Sequence, residues 1–155
     1  MSYTLISETV LSSSAASVTF SSIPQTYTDL VFEFLANTTA TVGTLLQFNG
    51  DTGTNYSSTQ LYGSGTSATS ARTTNATSIA GSVIGAYPAP GLWNLLSYAN
   101  TSVYKTVLVR GGNQDYVSGY VGLWRSTAAI TSLLVSPGGG NSWQSGSVFR
   151  LWGVK

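Results

Sequence analysis

Carboxylates are the only side chains in this sequence that could serve as acids or bases near neutral pH, because it contains no histidine and no cysteine. The five are Glu8, Asp29, Glu33, Asp51 and Asp115. A pair that hydrolyses a glycosidic bond lies within roughly 5–10 Å of each other. Asp29 and Glu33 share a face of one predicted strand but stand about 13 Å apart along it, and Asp51 and Asp115 lie on different predicted turns. The sequence therefore predicts a protein that is not an enzyme and needs no cofactor.

A metal site is the next chemistry to consider, at the segment NGDTGTNY. Asn49, Asp51 and Asn55 offer oxygen atoms that suit Ca²⁺, but an EF-hand loop needs more carboxylates and a closing glutamate. Zinc lacks its usual histidine and cysteine ligands altogether. We therefore predict no metal, and a hairpin turn stabilised by side-chain hydrogen bonds of asparagine and aspartate.

Aromatic residues are the stronger candidates for binding, since the chain has four tryptophans and nine tyrosines. Trp124 and Trp152 lie in alternating segments, which predicts positions in the core or at a subunit interface. Trp143 follows a glycine-rich turn and is the best candidate for an exposed aromatic ring, with packing as the alternative. The predicted ligand or partner contacts are Trp143, Arg72, Tyr62 and Asn141.

Charge is scarce, with six basic and five acidic residues, 7% of the chain, and a net charge of +1. A single domain of 155 residues exposes roughly 7,400 Å², which eleven charges cannot cover. Such a surface lacks the repulsion that keeps monomers apart, so we expect other subunits to cover much of it. The alternative is a soluble monomer coated with hydroxyl groups.

The same composition argues against nucleic acid and membranes as partners. The basic residues are scattered and form no cluster that would bind phosphates. No apolar run approaches the roughly 20 residues of a membrane span. The first residues have no basic and apolar stretches typical of a signal peptide, and the lack of cysteine suits assembly in a reducing cytoplasm.

Period-two alternation of apolar residues, punctuated by glycine and proline, predicts an all-β chain of about ten short strands. Val18 and Phe20 should point inward, and Leu30, Phe32 and Phe34 should line one face of the most apolar strand. The predicted strands are residues 16–20, 29–36, 44–48, 57–62, 77–84, 91–99, 103–110, 120–124, 130–135 and 147–154. Glu33 must lie at a sheet edge or have a partner, because an unpaired buried carboxylate is costly.

Two segments have other expected roles. Residues 1–11 alternate weakly and form either a first strand or an N-terminal arm, followed by a β-sandwich domain over residues 12–155. On this segment Tyr3, Leu5, Ile6 and Val10 are the predicted contacts with a neighbouring subunit or another protein surface. Residues 63–75 are almost free of apolar side chains and are predicted to be a long exposed loop.

Three stretches together resemble a β-sandwich module of tailed-bacteriophage virion proteins. They are ASVTFSSIPQTYTDLV at 16–31, FNGDTGTNYSSTQLYG at 48–63, and the closing segment 119–155 with GLWRSTAAITSLL and GSVFRLWG. That module occurs in head decoration (cement) proteins and at the ends of head and tail fibres. The resemblance implies a jelly-roll-like sandwich of two antiparallel sheets and a place in the virion.

The resemblance supports two functions of different classes. The first is a capsid decoration protein that binds the major capsid protein on the phage head, braces neighbouring capsomers and forms a homotrimer. The second is a receptor-binding fibre tip that recognises a host surface glycan through the contacts around Trp143. A chain that starts at Met1 and carries no fibre shaft favours the first. A minor tail or baseplate subunit is a third reading that the sequence does not separate from the first.

Overall fold

Strands account for the regular secondary structure of residues 2–155, the part of the chain that the computed structural model describes. They are β1 (Tyr3–Val10), β2 (Val18–Phe20), β3 (Asp29–Ala36), β4 (Val42–Phe48), β5 (Tyr56–Ser64), β6 (Ser67–Ala76), β7 (Ile79–Ile84), β8 (Ala89–Leu96), β9 (Lys105–Gly112), β10 (Tyr116–Trp124), β11 (Leu133–Pro137) and β12 (Val148–Val154). The all-β prediction is confirmed, with twelve strands rather than about ten. No helix in this range is long and apolar enough to span a membrane.

The strands form two antiparallel sheets that pack as a jelly-roll-like sandwich. The larger has eight strands in the order β1-β12-β3-β8-β9-β10-β5-β6, and the smaller has four in the order β2-β11-β4-β7. The four-stranded sheet covers one side of the larger sheet, chiefly through β7 against β9 and β10. We call that covered side the inner face of the eight-stranded sheet, and the opposite side its outer face.

The core lies between the inner faces, as the alternation predicts. Leu30, Phe32 and Phe34 on β3 are buried, and so are Val18 and Phe20 on β2. The Phe20 ring on β2 packs edge-on against the Phe32 ring on β3 of the other sheet, with centroids 5.9 Å apart. Burying one such side chain contributes about 1.5–3 kcal/mol to folding, so this aromatic centre holds the two sheets together without any disulfide.

Close packing against the core requires glycine at one inner position of β8. A Cβ atom on Gly91 would lie 2.2 Å from Cζ of Phe34, far inside van der Waals contact. The absent side chain lets the Phe34 ring lie flat against the β8 backbone. The centre of the eight-stranded sheet is therefore fixed by contacts on its inner face.

The predicted turn after β4 is present, but it does not close a hairpin as predicted, because β4 and β5 belong to different sheets. Asn49 and Gly50 have φ values of 53° and 68°, and the Asp51 backbone N–H donates to the Phe48 carbonyl at 2.8 Å. Two central residues with positive φ and an i to i+3 hydrogen bond define a type I′ turn. The Asn49 side chain also accepts from the Thr131 backbone N–H at 2.9 Å, which anchors the segment before β11.

The eight-stranded sheet ends in two edge strands, β1 and β6, and the presence of β6 shows that one prediction from the sequence is wrong. Residues 63–75 are not a loop, because most of them belong to β6, which pairs with β5 from Ser64 and Ser67 to Tyr56 and Ala76. Every β6 residue except Ala76 is exposed. The prediction failed because an edge strand with no sheet packed on it needs only backbone pairing, and apolar alternation is then absent.

At the other edge, residues 3–10 form the first strand, which was one of the two alternatives for the N-terminal segment. β1 pairs antiparallel with β12 from Tyr3 and Val154 to Val10 and Val148, with a bulge between Leu5 and Ser7. The closing segment also differs slightly from expectation, since β11 begins at Leu133 rather than at residue 130.

Candidate interaction surface

The carboxylate considered and rejected as a metal ligand accepts hydrogen bonds at the turn after β4. Asp51 accepts hydrogen bonds from Trp124 Nε1 at 2.7 Å, from the Gly53 backbone N–H at 2.8 Å and from Asn55 Nδ2 at 3.0 Å. The Trp124 hydrogen bond, followed by that from Asn55, lowers the pKa of Asp51 below its ordinary value. No group of three or more potential metal-ligating acids occurs within residues 2–155. The Asp51 oxygens accept from one backbone and two side-chain donors.

Trp143 is not exposed, and the prediction of a surface ring at this position is wrong. The side chain is 0% exposed, and its ring packs edge-on against Phe149 with centroids 5.0 Å apart. The residue's backbone pairs with Ala15 in an isolated bridge, which turns the indole between the sheets. Glycine-rich sequence predicted a turn correctly, but a turn can also deliver a large side chain into the core.

The other predicted ligand contacts are not brought together. Tyr62 on β5 pairs with Thr69, whereas Arg72 on β6 pairs with Thr59. Since 59 and 62 differ by an odd number, Tyr62 and Arg72 point to opposite faces. Tyr62 lies beside Tyr116 with ring centroids 6.5 Å apart. Asn141 stays in its own turn, where Nδ2 donates to the Gly138 carbonyl at 2.8 Å.

Three of the four residues singled out on the N-terminal segment are exposed. Tyr3, Leu5 and Val10 are 55%, 45% and 58% exposed, and their cross-strand partners place them on the outer face. Ile6 is half-buried and packs against the core beside the β1 bulge. An interface role for these residues stays a prediction, and their placement makes them part of a larger surface.

The outer face carries an extended apolar surface. Its exposed large hydrophobic side chains are Tyr3, Leu5, Val10, Leu35, Leu61, Leu108, Val117 and Val121. They come from β1, β3, β5, β9 and β10 and therefore extend over the sheet from β1 to β5, with none on the edge strand β6. In monomeric soluble proteins, contiguous apolar patches larger than a few hundred Å² are rare, and larger patches mark interaction sites.

Strand register arranges this face into rows that run across the strands. A central row contains Glu8, Arg150, Glu33, Leu92, Arg110, Gly119, Leu61 and Ser70, one from each strand in sheet order. A first flanking row contains Leu5, Trp152, Val31, Asn94, Leu108, Val121, Thr59 and Arg72. A second flanking row contains Val10, Val148, Leu35 and Pro90, and then Val117, Gly63 and Ala68.

Charges concentrate in the central row and are mostly paired there. Arg150 forms ion pairs with Glu8 and with Glu33, the latter at 3.3 Å, so the alternative of a paired Glu33 is the one observed. The hydrogen bond to Glu8, and then that to Glu33, raises the pKa of Arg150. This triplet has a net charge of −1, from two carboxylates and one guanidinium.

Arg110 is the remaining charge in the central row. Its nearest recorded partner is the neutral Asn94 Oδ1, 3.4 Å from Nη2. Within the described part of the chain no carboxylate lies within salt-bridge distance of Arg110. The outer face therefore holds an unpaired cation two strands away from a triplet with a surplus negative charge.

Shallow depressions indent this face. One, of about 360 Å³, is lined by Glu33, Leu35, Leu92, Arg110 and Arg150 among others. A second, of about 300 Å³, is lined by Tyr3, Val31, Glu33, Leu92, Asn94, Arg110 and Trp152. A third, of about 540 Å³, runs along β10, β5 and β6 past Leu61 and Val117.

One buried polar atom at the second depression has no hydrogen-bond partner among the residues that the structure describes. Trp152 Nε1 is buried and has no hydrogen-bond partner among residues 2–155. A buried N–H without an acceptor costs roughly 1–3 kcal/mol. An acceptor supplied from outside the chain would remove that cost.

Most of this surface was not predicted from the sequence, although apolar residues on both faces of two strands indicate it. β3 carries Val31 and Leu35 on the face opposite Phe32 and Phe34, and β10 carries Val117 and Val121 opposite Tyr120. Apolar residues on both faces of one strand indicate that both faces are covered. Within residues 2–155 no second sheet packs on the outer face.

Comparison with known proteins adds no family to these observations. No protein-family model matches the sequence, and the search of curated proteins finds no match.

Proposed function

We propose that this protein is a structural virion subunit that works by docking to other proteins and performs no reaction. The observation that carries the proposal is the outer face, where exposed apolar side chains extend from β1 to β5 in sheet order on both sides of a row of charged residues. Burying such a surface against a neighbour contributes roughly 25 cal/mol per Å² before the costs of association are subtracted. A subunit of a shell gains binding energy in this way without any catalytic group.

Head decoration is the specific role that we propose within this class. The sequence resembles a module found in phage cement proteins, and a low-charge sandwich with an apolar face suits a subunit held between copies of itself and a capsid. In this role the protein binds the major capsid protein and braces neighbouring capsomers. The virion head is then its location, after synthesis in the host cytoplasm.

Copy number per virion tests the proposal. Quantitative mass spectrometry of purified particles is expected to find the chain in hundreds of copies. A handful of copies would indicate a tail or baseplate subunit instead, and absence from particles would contradict a virion role. A matched pair of variants refines the test: Val121→Glu on the outer face should reduce occupancy on capsids, whereas Thr19→Glu on the exposed side of β2 should not.

Glycan recognition is a second candidate, now favoured by a different site from the one expected. The depression beside Trp152 combines two aromatic rings, Tyr3 and Trp152, with polar groups of Glu33, Asn94 and Arg110. Aromatic faces flanked by such hydrogen-bonding groups suit a sugar. A glycan array is expected to give a specific signal that Trp152→Ala removes while thermal unfolding stays cooperative, and an array without signal would exclude this candidate.

A further inference from the structure

We infer that the outer face binds a second copy of this chain through a two-fold axis that runs along β8. This inference rests on the proposed docking role only in taking the outer face as the contact surface. It replaces the expected homotrimer by a dimer, and it names the partner of the apolar face.

Charge positions select the axis. In face-to-face packing about an axis along β8, each strand meets the strand equally far from β8 on the other side, so β9 faces the partner's β3. Arg110 then lies opposite the partner's Glu33 within the central row, and the symmetry makes this pair twice. An axis along β9 would instead oppose two copies of Arg110, and one along β3 would oppose two copies of Glu33.

The remaining contacts across this axis include pairs of apolar side chains and bring no like charges together in the central row. Leu92 lies on the axis and meets the partner's Leu92. In the first flanking row, Trp152 faces the partner's Val121, and Val31 faces the partner's Leu108. Arg150 faces the partner's Gly119 and Glu8 faces the partner's Leu61, so no two like charges meet in the central row.

The size of the contact agrees with a stable dimer. Seven strands overlap, from β1 to β5 in sheet order, which spans about 29 Å at 4.8 Å per strand, and eight-residue strands are about 27 Å long. The overlap is therefore roughly 800 Å² per copy, the area that a standard stable interface buries on each partner.

Local geometry permits the charge pairs despite sheet twist. Packed sheets cross at about 30°, but Arg110 and Glu33 each lie only about 5 Å from the axis, one strand spacing, so this rotation displaces them by a few ångströms. The depressions beside Leu92 leave room for side chains of the partner. The two pairs also neutralise the charges that are left over within each copy.

Light scattering of the purified protein after size exclusion tests the inference. The unmodified chain is expected to be a dimer at micromolar concentration. Arg110→Glu places two like-charge contacts at the axis and should weaken association more than about 100-fold, since such juxtapositions cost several kcal/mol. The matched control is Arg72→Glu, on the same face but on β6, which extends beyond the overlap, and this variant should stay dimeric.

Exchanging the charges of Arg110 and Glu33 gives a result that a general loss of stability would not produce. Arg110→Glu and Glu33→Arg should each be monomeric, whereas an equimolar mixture should form a heterodimer, in which both axis pairs are again of opposite charge. If Glu33→Arg does not fold beside Arg150, a cysteine in place of Leu92 supplies the second measurement, because the chain has no other cysteine. A bismaleimide with a span of about 10 Å, the separation of packed sheets, should link two copies through this cysteine and not through one in place of Thr19.

Three results would overturn the inference: a monomer or trimer of the unmodified chain, a dimer of Arg110→Glu, or no crosslink at position 92. They are distinguishable from failure of the proposed function. A monomer found in hundreds of copies per virion contradicts the two-fold contact alone, and a dimer absent from virions contradicts the decoration role alone.

Discussion

At the turn after β4, polar side chains that resemble metal ligands stabilise the backbone. Asp51 accepts hydrogen bonds from Trp124, Gly53 and Asn55, and Asn49 accepts from the backbone N–H groups of Thr131 and Ser132. These contacts join β4, β10 and the segment before β11, which are far apart in sequence. At this scale the chemistry of the side chains is used for folding.

Replacing Asp51 should destabilise the protein and remove part of its acid sensitivity. Asp51→Ala leaves the buried Trp124 Nε1 without an acceptor, at a cost of about 1–3 kcal/mol. Because the pKa of Asp51 is lowered in the folded state from 3.8, its contribution to stability is present above the unfolded value and is lost as the pH falls through the folded value. Urea unfolding from pH 5 to pH 2 measures both effects.

The matched control for this prediction is Asp115→Ala, an exposed turn acid. It should change the free energy of unfolding by no more than about 0.5 kcal/mol. Asp51→Asn keeps the side-chain shape without the charge and should flatten the acid dependence. An unchanged acid dependence in Asp51→Asn would show that other carboxylates cause it.

At the scale of elements, the two edge strands differ in how they are held. β1 pairs with β12, and its Glu8 joins the ion-pair triplet with Arg150 and Glu33. β6 pairs only with β5, and nearly all of its side chains are exposed. A strand with few buried contacts opens locally at low free energy.

Hydrogen exchange should therefore be much faster in β6 than in β3. The β6 amides that pair with β5 are expected to exchange by local opening, whereas those of β3, which is paired on both sides and buried, require opening of the core. Mass spectrometry of peptides covering residues 67–76 and 29–36 compares them. Equal protection of the two strands would mean that another molecule covers β6, contrary to a dimer in which β6 lies outside the overlap.

At the scale of the whole molecule, charge is too sparse to dominate stability. Eleven charged residues occupy an accessible surface of 7381 Å² for the described residues, and none of the chain's residues is histidine. The groups with raised pKa include Tyr56, at about 12 because of burial. Burial lowers the pKa of Lys105, whose Nζ donates to the carbonyls of Val103 and Thr127.

These values predict a free energy of unfolding that is flat between pH 5 and pH 8. Lys105 binds its proton less tightly in the folded state, so stability rises as the pH approaches 10.5 from below. Tyr56 keeps its proton longer when folded, so stability falls as the pH rises from 10 through about 12. Denaturant unfolding at several pH values tests this, and a change above about 1 kcal/mol within the flat range would require a titrating group that these shifts do not provide.

The sequence alone determined which residues alternate and which kind of turn joins them. Val18, Phe20 and the β3 phenylalanines point inward as predicted, and Asn49-Gly50 forms a tight turn as predicted, because both properties depend on neighbouring residues only. The turn does not close the expected hairpin, because β4 and β5 pair in different sheets. Low charge and the absence of histidine and cysteine are likewise properties of the sequence alone.

Only the tertiary structure decided which strands lie side by side, and with them the interaction surface. Glu8 and Arg150 are separated by 142 residues yet pair across neighbouring strands, and Trp143 is buried because its backbone bridges to Ala15. Strand pairing is a non-local property that local periodicity does not encode. The rows of the outer face arise from that pairing, so no single segment of the sequence contains them.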